Sequence, residues 1–198
     1  MRPIISLLFL LMIFLTSTAQ QQFRVKIQDG SQIKIHGSSN VHEFTLTQTA
    51  SAFPERLIQV SDGSTSGKLT VNNGVITLPV RQFTTPVKII QFAFYRMMMT
   101  DQYPNLLIRL KQLEGLQLQK GKIRSSAQVD VTIAGTTRTY TIPVESKKAN
   151  ENVVITGTKR MSIRDFGITP PSPMMGMVRV SEWVDIQLEL NCRLDPQT

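Results

Sequence analysis

The stretch IRSSAQVDVTIAGTTRTYTIPV, Ile123 to Val144, decides the fold. Ile123, Ser125, Ala127, Val129, Val131 and Ile133 occupy every second position, and Arg124, Ser126, Gln128, Asp130 and Thr132 lie between them. Successive side chains of a strand point to opposite faces, so this spacing gives one dry face and one wet face. Gly135-Thr136 marks a turn, after which Tyr140, Ile142 and Val144 continue on a partner strand. One face dry and one wet is the pattern of antiparallel sheet wrapped around a core.

The same alternation returns near the C-terminus, where Val184, Ile186, Leu188, Leu190 and Cys192 alternate with Asp185, Gln187, Glu189, Asn191 and Arg193. Turn-forming residues recur at hairpin spacing: Asp29-Gly30, Asp62-Gly63, Asn72-Asn73-Gly74, Gly135-Thr136 and Ala149-Asn150. They divide the chain into strands expected roughly at 23–28, 31–36, 40–48, 56–60, 67–71, 74–80, 106–114, 123–133, 137–145, 152–163 and 177–194. So many strands in one open sheet would leave long exposed edges, and closure into a barrel or sandwich hides them.

One stretch reads as a helix, Pro86 to Asp101. Pro86 suits a first helical turn. Ile90, Phe94 and Met97 or Met98 fall at helical spacing, and Phe92, Tyr95 and Met99 widen the apolar surface, which is therefore expected to be mostly buried. Tyr103-Pro104 ends the helix and opens a strand at Leu106.

Met1-Arg2, the apolar run Ile4 to Leu15 and the small residues Ser17-Thr18-Ala19 follow the three-part pattern of a secretory signal peptide, with cleavage expected between Ala19 and Gln20. The run is too short to span a bilayer, which takes about twenty residues. No cysteine lies near the cleavage site, so a lipid anchor there is excluded. A soluble periplasmic or secreted domain over residues 20–198 is expected, long enough for a sizeable core. The single cysteine, Cys192, allows no internal disulfide, and its phase with Leu188 and Leu190 places it among apolar side chains. The net charge of +8 is scattered, without a long basic run. It favours peripheral contact with an anionic membrane surface, whereas nucleic-acid binding would call for a basic helix or aromatic stacking motif.

Four pieces in order resemble the YceI-like family, exported β-barrel proteins associated with binding polyisoprenoid or similar lipids. The first is Gly37-Ser38-Ser39-Asn40-Val41-His42-Glu43-Phe44; the second is Leu78-Pro79-Val80 followed by the helix and Tyr103-Pro104-x-Leu106-x-Ile108. The third is Val131-x-Ile133-Ala134-Gly135-Thr136-Thr137-Arg138. The fourth is Asp165-Phe166-Gly167-Ile168-x-Pro170-Pro171 with Gly176 and Val184-x-Ile186-x-Leu188. The resemblance implies a lipocalin-like antiparallel β-barrel of about eight main strands, closed by one or more helices around an apolar tunnel. The chain departs from the family pattern in the density of methionine at Met97-Met98-Met99 and at Pro173-Met174-Met175.

Methionine thioethers are soft ligands for Cu(I), which makes a metal-handling protein one reading. Consecutive residues of a helix point about a hundred degrees apart, so Met97, Met98 and Met99 cannot aim at one ion, and packing near a barrel mouth is the reading preferred. His36 and His42 lack a completing carboxylate or cysteine cluster, and His42 is expected to make a structural hydrogen bond. No G-x-S-x-G occurs, and Asp165-Phe166-Gly167 stands without the phosphate and catalytic loops of a kinase. The expected function is therefore non-enzymatic: binding or carrying a long apolar or amphiphilic lipid, without cofactor, metal or nucleic acid. The alternative is a cell-envelope structural or interaction module whose barrel is filled by side chains. The residues expected on the inward wall are Phe44, Phe94, Met98, Val131, Ile133, Phe166, Met175, Ile186 and Leu188.

Overall fold

A computed structural model describes residues 21–49, 56–63, 68–119, 121–149, 152–172 and 174–197. The expected signal peptide and its cleavage site lie outside these residues. Eleven strands are joined antiparallel: β1 (Gln21–Ile27), β2 (Gln32–Ser38), β3 (Glu43–Thr49), β4 (Arg56–Gly63), β5 (Lys68–Asn72), β6 (Val75–Pro79), β7 (Asn105–Gln119), β8 (Lys122–Ile133), β9 (Thr136–Ala149), β10 (Asn152–Ser162) and β11 (Trp183–Gln197). Among the described residues one α-helix, α1 (Lys88–Met97), lies between β6 and β7.

The eleven strands make eight runs, because β1 with β2, β3 with β4 and β5 with β6 each follow one direction; β3 and β4 pair antiparallel with β2 and β1 respectively. β1 and β2 both pair antiparallel with β11, so they follow one direction and Asp29-Gly30 is a break inside a run rather than a hairpin. The hydroxyl of buried Ser31 holds that break by donating to the Gln28 carbonyl and accepting from Asn191 N–H, both at 2.8 Å. β5 and β6 likewise both pair with β7, so Asn72-Asn73-Gly74 also kinks a run instead of reversing it. Ala134-Gly135 does reverse the chain, with both residues at positive φ (46° and 77°), as a two-residue hairpin of this hand demands.

Neighbouring runs pair in succession, and β1 is paired with β4 on one side and β11 on the other. The result is barrel-like, but the sheet is not closed along its whole height. β3 and β6 share no ladder; that gap is spanned by residues 80–85, where Thr47 and Thr84 exchange two backbone hydrogen bonds of 2.9 Å. Fully buried Phe83 plugs the gap from inside and meets Phe94 of α1 edge-on, with ring centroids 5.7 Å apart. The Tyr95 hydroxyl, directed at the carbonyls of Arg81 (2.7 Å) and Phe83 (3.0 Å), fastens the helix to the same segment.

Three expectations need correction here. The helix is shorter than Pro86–Asp101 and starts after Val87, because its turns end where Met99 enters a positive φ of 48°. Its wide apolar surface is covered on one side only: Phe94 and Met98 are buried, whereas Val87, Ile89, Phe92 and Met99 are exposed. The strand expected over 177–194 begins at Trp183, because the Asn40 side chain holds the backbone of Met177 (2.9 Å) and Arg179 (2.8 Å) away from the sheet.

Candidate functional site

The inward faces of β2, β3, β6 to β11 and one side of α1 enclose a cavity of about 300 Å³. Its walls follow from the alternation. On β8 the lining residues are Ile123, Ser125, Ala127, Val129, Val131 and Ile133; on β11 they are Val184, Ile186, Leu188 and Leu190. Facing strands add Ile33 and Ile35, Phe44 and Leu46, Ile76 and Leu78, and Ile142 and Val144. At about 3.3 Å per residue and a usual barrel tilt of roughly 40°, the β8 wall from Ile123 to Ile133 gives a length of about 25 Å along the axis. A carbon-lined space of this kind offers burial without hydrogen bonds, which suits an apolar ligand.

Polar groups on the wall are few: Ser125, Ser146, Ser181 and one charged side chain, Lys159. Lys159 sits where β9 and β10 part, since their ladder ends at Val144–Gly157 although both strands continue. The ammonium donates to the Thr141 carbonyl across this seam at 3.3 Å and stands 5.6 Å from the centre of the Tyr140 ring. Tyr140 in turn packs on Phe166 (6.1 Å between centroids) and donates its hydroxyl hydrogen to Asp165 Oδ2 at 2.9 Å. Burial, then the hydrogen bond and charge of Asp165, push the Tyr140 hydroxyl up to about 12. Buried Cys192 is pushed up to about 11 by desolvation alone, which leaves a protonated, unreactive thiol.

The composition of this wall is decisive only alongside the chain's relatives. A family model for the YceI-like domain matches residues 28–192. The chain belongs to the YceI-like family. Among solved structures, the YceI-like chain is similar to BcnA of Burkholderia cenocepacia: 15% identity, TM-score 0.55, covering 81% of this chain and 95% of that one. It is also similar to a polyisoprenoid binding domain from Saccharophagus degradans implicated in plant cell wall breakdown: 9% identity, TM-score 0.61, covering 87% of this chain and 98% of that one. At these identities the likeness is one of fold, a lipocalin-like barrel. No curated protein sequence matches the chain.

Eight of the nine residues expected on the inward wall of this YceI-like domain meet at the cavity: Phe44, Phe94, Met98, Val131, Ile133, Phe166, Ile186 and Leu188. Met175 does not. Its side chain is fully exposed, and a positive φ of 55° inside the short turn Met174–Gly176 keeps it off the sheet. Met177 is exposed too, while Met161 and Met98 are core, so the methionines divide between interior and surface. The structural histidine is His36 rather than His42: its Nε2 donates to Gln187 Oε1 (3.1 Å) and its Nδ1 meets the Thr45 hydroxyl (3.0 Å). Sequence reading missed Lys159, although the phase of Ile155, Gly157 and Met161 passes through it.

Proposed function

We propose that the protein is an exported, non-enzymatic carrier that holds a long apolar or amphiphilic lipid, polyisoprenoid-like, in a tunnel inside its barrel. One observation carries this reading: the side chains that should fill the barrel leave about 300 Å³ of carbon-lined space among them. Burial there would contribute roughly 0.8 kcal/mol per ligand CH₂. The likeness to a barrel described as a polyisoprenoid binding domain supports the ligand class. Peripheral contact with an anionic membrane, for which the +8 charge is suited, would give the carrier access to its lipid.

The test is native mass spectrometry of freshly purified protein, followed by organic extraction. A co-purifying lipid of one mass class is the expected result. A clean ligand-free mass, together with failure to take up an added long-chain isoprenoid alcohol, would leave the packed envelope module as the correct reading.

A further inference from the structure

Alternation of strand direction brings the turns and connections 39–42, 80–104, 134–135 and 163–182 to one end of the barrel. Exposed large apolar side chains gather there: Ile89 and Phe92 on α1, Met175 and Met177, Val41 and Trp183, at 47% to 105% exposure. Toward the other end Ile123 is exposed. Val41 and Met177 belong to one surface, since Asn40 holds the Met177–Arg179 backbone. An apolar concentration of this kind marks an interaction site.

We infer that this end of the barrel docks on the surface of an anionic lipid bilayer. α1 is apolar on both sides, and only the side bearing Phe94 and Met98 is covered, by the cavity wall. An exposed apolar strip on a helix gains by being covered, and the acyl boundary of a membrane covers the one bearing Ile89 and Phe92. Charge selects this occupant over a second copy of the chain. Lys88 and Arg96 flank Ile89 and Phe92, and Arg179 adjoins Met177; none of the three has a carboxylate partner among the described residues. Anionic headgroups complement these cations, whereas a second copy would bring its own cations to the same face. No described helix is long and apolar enough to cross a membrane, so the contact is peripheral.

The purpose of docking rests on the carrier reading above, but the contact itself does not, and the experiment separates them. Protein freed of ligand is mixed with vesicles of phosphatidylcholine alone, or of phosphatidylcholine with phosphatidylglycerol, and binding is measured by co-sedimentation. Trp183, the sole tryptophan, reports insertion through a blue shift of its emission. Binding to the anionic vesicles, weakened by salt, is expected, and roughly tenfold weaker binding for the Lys88→Glu/Arg96→Glu and Ile89→Asp/Phe92→Asp variants. Circular dichroism and melting establish that the variants are folded. Equal binding by wild type and both variants overturns the inference, as does absence of binding by wild type. A dimer in solution that Ile89→Asp/Phe92→Asp splits, without vesicle binding, assigns the face to self-association. Vesicle binding by protein that never carries lipid would refute the carrier and leave the docking face standing.

Discussion

The ring of Phe44 covers the bare Cα of Gly37, its partner across β2 and β3: a Cβ on Gly37 would lie 2.5 Å from Phe44 Cζ. Phe44 also lines the cavity, so the absent side chain at 37 sets where a wall residue stands. Gly37→Ala must drive the ring away and is expected to cost about 1–3 kcal/mol, as overpacking does. Adding Phe44→Leu removes the clash and is expected to restore most of that loss in denaturant unfolding. Equal losses in the single and double variants would show that the ring is not the cause.

Positive-φ positions should rank by what surrounds them. At Gly167 (φ 74°) a Cβ meets nothing within 4 Å, so Gly167→Ala carries the backbone penalty alone, about 1–2 kcal/mol. At Gly135 (φ 77°) the Cβ would also lie 2.7 Å from the Tyr103 ring, so Gly135→Ala is expected to cost more. The neighbouring Ala134 carries the same kind of strain at φ 46°. Ala134→Asn is expected to raise stability by about 0.5–1 kcal/mol, because asparagine tolerates this region in hairpin turns. Thermal melts of the three variants give the order directly.

Tyr140 should make stability fall at alkaline pH. Its hydroxyl is pushed from 10.0 to about 12 in the folded chain, first by burial and then by Asp165. Below pH 10 both states keep the proton and the full contribution is present. As pH rises through the window up to about 12 the unfolded chain loses the proton first, so the contribution is lost. Subtracting the unfolding profile of Tyr140→Phe isolates this slope from other alkaline groups. A difference profile that is flat across the window would contradict the role of burial at Tyr140.

The thiol of Cys192 offers an independent probe of the barrel. It is 2% exposed and its pKa is raised to about 11 by burial, so the nucleophilic thiolate is scarce in the native state. Alkylation by iodoacetamide at neutral pH is expected to be negligible for the native protein and complete in denaturant, the labelled fraction tracking global unfolding. Fast native labelling would mean that β11 opens locally around Leu190 and Cys192.

How much of this was legible in the sequence depends on which physical force set each feature. Burial set the phase of β8 and β11, and alternation from Ile123 to Ile133 and from Val184 to Leu190 therefore predicted the wall itself. Glycine and asparagine gave turns without their sense: Ala134-Gly135 reverses the chain, while Asp29-Gly30 and Asn72-Asn73-Gly74 only bend it. The difference lies in pairing with distant β11 and β7, which no local pattern encodes. The exposure of Met175 and of Ile89 and Phe92 was also hidden, because apolar residues read as core until a surface is shown to remain uncovered.

Enlarging a side chain should have opposite effects at two buried positions. Ala127, 4% exposed, lies in the middle of the cavity wall, paired with Leu113 and Ile142. Three more carbons in Ala127→Leu enter open space, so stability is expected to hold or to rise by about 1 kcal/mol. Val80, 1% exposed, is packed on all sides away from the cavity. Val80→Leu adds one carbon where none fits and is expected to cost about 1–3 kcal/mol. The same pair separates cavity from core in function. Uptake of a long-chain isoprenoid alcohol, measured by extraction, is expected to fall in Ala127→Leu and to persist in Val80→Leu at temperatures where it stays folded. Should both variants lose stability alike, the interior near Ala127 is as tightly filled as the interior near Val80, and no ligand can lie along β8.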